Sequence, residues 1–178
     1  ERHIAIEDIC RMYAEAVLNL AVLKDNMFSH DEDAAGRGTL YIEEELFENA
    51  LKISKDLYEQ HRYSLESAQT YARTCRIIAD YKQYTEKEEA LELYEISIKI
   101  SKELYKKHKD RIDLSQSYAE ACSSLANLKK DMGEKGVEEA FQLYENAINI
   151  SKELYERHKN RFDIAYYYAN ICYELAKV

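Results

Sequence analysis

The chain predicts an all-α protein built as an array of stacked antiparallel helix hairpins, and three observations carry that expectation. The stretch Ile150-Ser151-Lys152-Glu153-Leu154-Tyr155-Glu156-Arg157-His158-Lys159 returns almost unchanged at 100–109 and again at 53–62, and Glu1-Arg2-His3 reads as the tail of a fourth copy. Proline is absent and only Gly36, Gly38, Gly133 and Gly136 interrupt 178 residues, which favours long helices joined by short turns. Apolar residues recur at spacings of three and four, while alternating β-branched runs bounded by turn residues are missing.

Repeat arithmetic sets the order of the elements. His3, His61, His108 and His158 lie 58, 47 and 50 residues apart, and a Tyr-Ala pair follows each by ten: Tyr13, Tyr71, Tyr118 and Tyr168. The variation in period therefore falls in one turn per unit, where the glycines are expected. The expected helices cover about 5–25, 40–61, 64–84, 87–108, 111–131, 137–158 and 161–178. They form units at 4–61, 62–108 and 109–158, with a partial unit at 159–178, in a single array over 1–178. In the first helix of the third unit, Leu114, Tyr118, Ala121, Cys122, Leu125 and Leu128 share one face. In the second helix Val137, Ala140, Phe141, Tyr144, Ala147, Ile148 and Ser151 do so, widened by Leu143, Ile150 and Leu154. Asp110 with Asp113, and Asn160 with Asp163, are expected to supply an acceptor and an acidic first turn at two helix starts. The polar segment Asn26–Thr39 is expected to be the one long loop.

Neither end coincides with a repeat boundary. The last helix carries Ile164-Ala165-Tyr166-Tyr167-Tyr168, Ile171-Cys172 and Leu175-Ala176 with no partner helix after it. The expectation is a fragment of a longer array, or a homodimer that buries that face.

Composition narrows the function. Twenty-five basic against 34 acidic residues give a net charge of −9, without the basic stripe that nucleic acid or anionic membrane requires. No apolar run approaches the roughly 20 residues of a transmembrane helix. Cys10, Cys75, Cys122 and Cys172 form no CxxC pair, and three share one repeat position, as small packing residues do in a reducing, cytoplasmic setting.

The residue pattern resembles the tetratricopeptide repeat family over nearly the whole chain. The resemblance rests on Leu125-Ala126, Glu139-Ala140, Tyr144, Ala147 and Ile150 in the third unit, and on Ile78-Ala79, Glu89-Ala90, Tyr94, Ser97 and Ile100 in the second. The first unit fits less well, with Leu20-Ala21, Phe47, Ala50 and Ile53 present but Glu43 where alanine is expected. The family's repeat is 34 residues, its terminal proline is absent here, and Cys75, Cys122 or Cys172 replaces its early aromatic. The long period and the Arg-x-Asp-Leu/Ile helix start (Arg111 to Leu114, Arg161 to Ile164) are similar to long bacterial arrays. The resemblance implies a right-handed α-solenoid of about 3.5 repeats and seven helices, acting as a protein-binding scaffold that displays a concave surface with little change on binding. It also leaves open a regulatory segment attached to an effector domain, or a structural spacer or dimerisation module.

Candidate chemistry is sparse. Four histidines at one repeat position cannot share an ion, because equivalent residues lie roughly 15–20 Å apart when two helices intervene. They read instead as helix C-terminal residues. Most of the 16 tyrosines recur at packing positions, although Tyr166-Tyr167-Tyr168 cannot all point inward and one of the first two is expected at the surface. No phosphate loop, nucleophile elbow, zinc motif or Ser-His-Asp set is present, so neither an enzyme nor a cofactor or metal site is expected. What remains is the polar face of the first helices, the groove the resemblance implies. It comprises Glu15, Leu18, Asn19 and Val22, then Arg73, Arg76 and Asp80, then Glu120, Ser123, Asn127 and Lys130, then Asn170, Tyr173 and Lys177. Its mixture of Arg, Asn and Lys suits a peptide backbone or an acidic side chain. The Lys/Asn set that captures C-terminal carboxylates in chaperone-binding members is not reproduced.

Overall fold

The computed structural model describes residues 8, 10–20, 23 and 36–178, with the side chains of 36–43 excepted. Every regular element among them is a helix: α1 (10–20), α2 (Gly36–Gln60), α3 (Leu65–Lys82), α4 (Lys87–Lys107), α5 (Ile112–Lys129), α6 (Gly133–Arg157) and α7 (Phe162–Leu175). The chain divides into two compact units, Glu1–Thr74 and Cys75–Val178.

In the first unit Ala14, Val17 and Leu18 of α1, Phe47, Ala50, Ser54 and Leu57 of α2, and Ala68, Tyr71 and Ala72 of α3 are all buried. Leu18 thus belongs to the core and not to a binding face. Tyr13, expected to pack, is 56% exposed. Ser64 caps α3, its hydroxyl accepting the Ser67 N–H at 3.2 Å.

In the second unit α4, α5, α6 and α7 pack in succession. The core joins Tyr118, Ala119, Cys122 and Ala126 of α5 to Ala140, Tyr144, Ala147 and Ile150 of α6 and Ile171 of α7. Alanines at 0% exposure bring the two helix backbones close, and the tyrosine fills the gap between them. All six residues expected on the inner face of α5 are buried. On α6, Val137 and Phe141 are 38% and 47% exposed, so its stripe is narrower at the N-terminal end than the spacing implied.

The same turn is built three times. His61, His108 and His158 each donate their N–H to a carbonyl four residues back, and their own carbonyls accept from Ser64, Arg111 and Arg161 at 2.8–3.0 Å. Across each turn a tyrosine from the repeated stretch meets the tyrosine of the following Tyr-Ala pair. Tyr58–Tyr71, Tyr105–Tyr118 and Tyr155–Tyr168 have ring centroids 5.4, 5.5 and 5.9 Å apart. This pairing accounts for the constant ten-residue interval, since a shift of one residue would swing the second ring off the face. Arg111 and Arg161, rather than Asp110 and Asn160, occupy the N-cap positions and make no side-chain cap. Each instead chelates an acidic residue in its helix's first turn, Arg111 to Asp113 and Arg161 to Asp163, through two bonds of 2.6–2.9 Å.

The other turn of the two hairpins in the second unit is held by lysine. Lys82 bonds Glu89 at 2.7 Å and Glu86 at 3.3 Å, and the equivalent Lys129 meets Glu139 at 2.8 Å. Here the expected boundaries shift. Gly36 and Gly38 lie inside α2, and α6 starts four residues before the expected 137. Gly133 has φ +80°, which permits the sharp entry, and Gly136 is buried where a Cβ would overlap the Lys129 carbonyl oxygen. Gly133 thus serves the turn into α6 and Gly136 a close helix approach, not a slack loop. Of the expected loop, residues 26–35 lie outside those described, as do His3, His30 and Val22.

Candidate functional site

In the second unit the first helices of the hairpins are neighbours of one another. Arg76 of α3 reaches Glu120 of α5 at 3.1 Å, and Lys130 of α5 lies 3.9 Å from Glu174 of α7. The second helices pair likewise, the Tyr105 hydroxyl of α4 donating to Glu153 of α6 at 3.3 Å. The expected groove residues of this unit therefore lie along adjoining helices.

Most of them are already engaged. Arg76 bonds Asp80 at 2.9 Å as well as Glu120, and Asp80 also accepts the hydroxyl of Tyr94 at 2.7 Å. One repeat later Asn127 stands where Asp80 stood, accepting the Tyr144 hydroxyl at 2.6 Å and the Lys130 ammonium at 3.2 Å. Asp80 and Asn127 thus hold the buried phenols of the following helices, a structural task that the groove assignment overlooked. The signal was available: each lies at the same offset from its repeat's cysteine, and Tyr94 and Tyr144 recur in step. Burial raises the Tyr94 phenol far above its ordinary value, reinforced by the Asp80 charge and opposed by Arg76. Burial also pushes Tyr144 up to about 12, with Glu174 and Asp131 adding to it.

A polar pocket of about 380 Å³ opens beside these bonds, lined among others by Gln83, Tyr84, Lys87, Ser124, Lys130 and Glu174, with Asp80 and Asn127 at its wall. Three groove candidates therefore converge on it: Asp80, Asn127 and Lys130. Ser123 lies half-buried elsewhere on α5. Glu174, Lys87 and Ser124 are pocket residues that the projected face did not include. Glu174 of α7 also pairs with Lys177, just beyond the end of that helix, at 2.7 Å. Because the Asn127 carbonyl oxygen is twice occupied, the amide presents its NH₂ donors. With the Lys130 and Lys87 ammoniums and the Ser124 hydroxyl these donors stand beside the carboxylates of Asp80, Asp131 and Glu174, so the wall offers donors and acceptors together, as the amides of a peptide backbone require.

The remaining candidates lie elsewhere. Asn19 and Arg73 are exposed on α1 and α3 in the first unit. Asn170 and Tyr173 of α7 and Lys177 just beyond it are exposed, and the Lys177 ammonium sits 4.2 Å from the Tyr173 ring centroid. Of Tyr166 and Tyr167, one of which is expected at the surface, Tyr166 is the exposed one, at 66%. The Tyr167 hydroxyl is buried without a hydrogen-bond partner among the described residues, and burial, with the Glu120 charge adding to it, holds its pKa far above the ordinary phenol value.

Cys75 and Cys122 are buried. Burial pushes Cys122 up to about 12 against the opposing pull of the Tyr118 hydroxyl and Lys102, so it is a packing residue and no nucleophile. Among the described residues no group of three or more His, Cys, Asp or Glu is arranged to hold a metal, and no helix is long and apolar enough to cross a membrane.

No protein-family model, curated protein or solved structure matches the chain. What it does must be argued from its own geometry.

Proposed function

We propose that the chain is a protein-interaction scaffold of the tetratricopeptide type, a right-handed solenoid that holds an extended peptide along its first helices. The observation that carries this reading is the polar pocket lined from α3, α4, α5 and α7, where donors on Asn127, Lys130, Lys87 and Ser124 stand beside the carboxylates of Asp80, Asp131 and Glu174. A peptide laid there would place backbone carbonyls or an acidic side chain against these donors. The helices that frame the pocket are tied by buried bonds, so the surface is preformed and binding costs little reorganisation.

A structural spacer is the second reading. It is favoured by the intramolecular partners of Arg76, Asp80, Glu120, Asn127 and Lys130, which consume much of the expected groove.

Selection of a random peptide library on the folded chain separates the two. A scaffold enriches peptides with acidic or carbonyl-rich centres, and Lys130→Glu or Ser124→Tyr abolishes their binding while circular dichroism stays unchanged. Enrichment of nothing, or binding indifferent to both substitutions, leaves the spacer.

A further inference from the structure

The pocket beside Asn127 is lined by five charged side chains, and they differ in what already holds them. Asp80 is bonded by Arg76 and by the Tyr94 hydroxyl. Lys130 bonds Asn127 and faces Glu174, which in turn accepts from Lys177. The other two are Lys87, the first residue of α4, and Asp131, which follows α5. Both are exposed at the pocket, neither has a partner among the described residues, and no ion pair joins them to each other. Asp131 nevertheless lies near enough to the buried Tyr144 phenol to oppose its ionisation, which sets its carboxylate on the pocket side of the turn. Once the internal pairs are taken away, the pocket is left with one cation and one anion, both unmatched.

We propose that the peptide held here carries one acidic and one basic side chain, its carboxylate meeting Lys87 and its ammonium or guanidinium meeting Asp131. This rests on the peptide reading above and names its specificity. A ligand that fills the pocket takes water from both free charges, and a charge covered without a counter-charge is penalised, whereas an opposite charge in hydrogen-bonding reach offsets the loss. A purely acidic segment would satisfy Lys87 and leave Asp131 covered and unmatched, and a purely basic one would do the reverse, so the pocket rejects both. Lys130 and Glu174 do not compete for these side chains, because each already has a partner in the chain. The backbone between the two charged residues has its own contacts. Asn127 offers NH₂ donors, and Gln83 spends its own NH₂ on the Asp80 carbonyl at 2.8 Å, which leaves its side-chain oxygen to accept an amide N–H.

Peptide selection on the full chain, on Lys87→Glu and on Asp131→Lys tests the pair. The chain enriches peptides in which an acidic and a basic residue recur at one fixed separation. In a synthetic copy, alanine at either position weakens binding by about tenfold or more, read by fluorescence anisotropy on the unaltered chain. Lys87→Glu enriches peptides with two basic residues at that separation, and Asp131→Lys peptides with two acidic ones. The double variant again selects one of each, in the opposite order. Both residues are exposed and unpaired, and circular dichroism checks that each variant keeps its helices. Peptides that share acidic residues alone, or that bind as well with alanine at the basic position, overturn the charge pair and leave peptide binding standing. Enrichment of nothing overturns both.

Discussion

Tyr94 and Tyr144 occupy the same place in successive repeats, both at 0% exposure, yet their phenols meet different acceptors. Tyr94 donates to a carboxylate that Arg76 also holds, and Tyr144 to an amide shared with Lys130. Removing either hydroxyl leaves the ring's packing intact and strips one bond. Charged acceptors make the stronger bonds, so Tyr94→Phe should cost about 2 kcal/mol and Tyr144→Phe about 1 kcal/mol, measured as shifts of the urea midpoint at constant slope. The reverse order would mean that the Arg76 pair compensates for the loss. Gly136 gives a sharper case. Alanine there drives a methyl group into the Lys129 carbonyl, and the entry to α6 must move. Gly136→Ala should destabilise by about 1–3 kcal/mol in the same assay, whereas helix propensity alone would have it stabilise by up to about 1 kcal/mol.

Elements are joined by two alternating devices, and their chemistry differs in response to pH. Burial by itself would lower the Lys82 ammonium, but its bonds and attraction to Glu89 and Glu86 hold it above 10.5. The bond from Lys82 in turn holds Glu89 below its ordinary 4.5. Glu89 therefore contributes stability that is complete above 4.5 and drains away as pH falls through the depressed folded value. Lys82 contributes stability that is complete below 10.5 and is lost as pH rises through the raised one. Urea midpoints should accordingly form a plateau from about pH 5.5 to about pH 10 and fall on both sides, and Lys82→Met should lower the plateau while flattening both limbs. Asp163, held down to about 2 by Arg161, extends the acid limb further. Limbs unchanged in Lys82→Met would assign the pH dependence to other pairs. Much of this level was legible in the sequence, because His-to-Tyr spacing is a direct record of one joint. The Lys–Glu joint was not, since it links residues seven and ten apart across a turn of variable length, where no periodicity carries through. The starts of α2 and α6 were hidden for a related reason. Glycine speaks for a loop in isolation, and only the neighbouring Lys129 carbonyl shows that Gly136 is needed inside a helix.

At the scale of the second unit the contacts run between helices adjacent in order or next but one. That regime favours rapid folding, since few long loops must close before contacts form. The all-helical class and the identity of the core followed from pattern, because burial repeats whenever the sequence does. The candidate site was less readable. A polar residue on a first helix can face solvent or receive a hydrogen bond from the next helix, and both choices obey the same period. Asp80 and Asn127 took the second course, and the pocket beside them is shared with Lys87, Ser124 and Glu174, whose positions fall off the projected face.

The three histidine turns share one backbone pattern and one pair of stacked rings, so each presents the same mating surfaces to whatever hairpin follows. Genetically, such a joint is a splice point. Loss or duplication of a segment between two joints brings like surfaces together, and the seam heals without new packing. Lineages carrying this chain could change the number of hairpins by unequal crossing-over, altering reach in single steps while each surviving joint keeps its geometry.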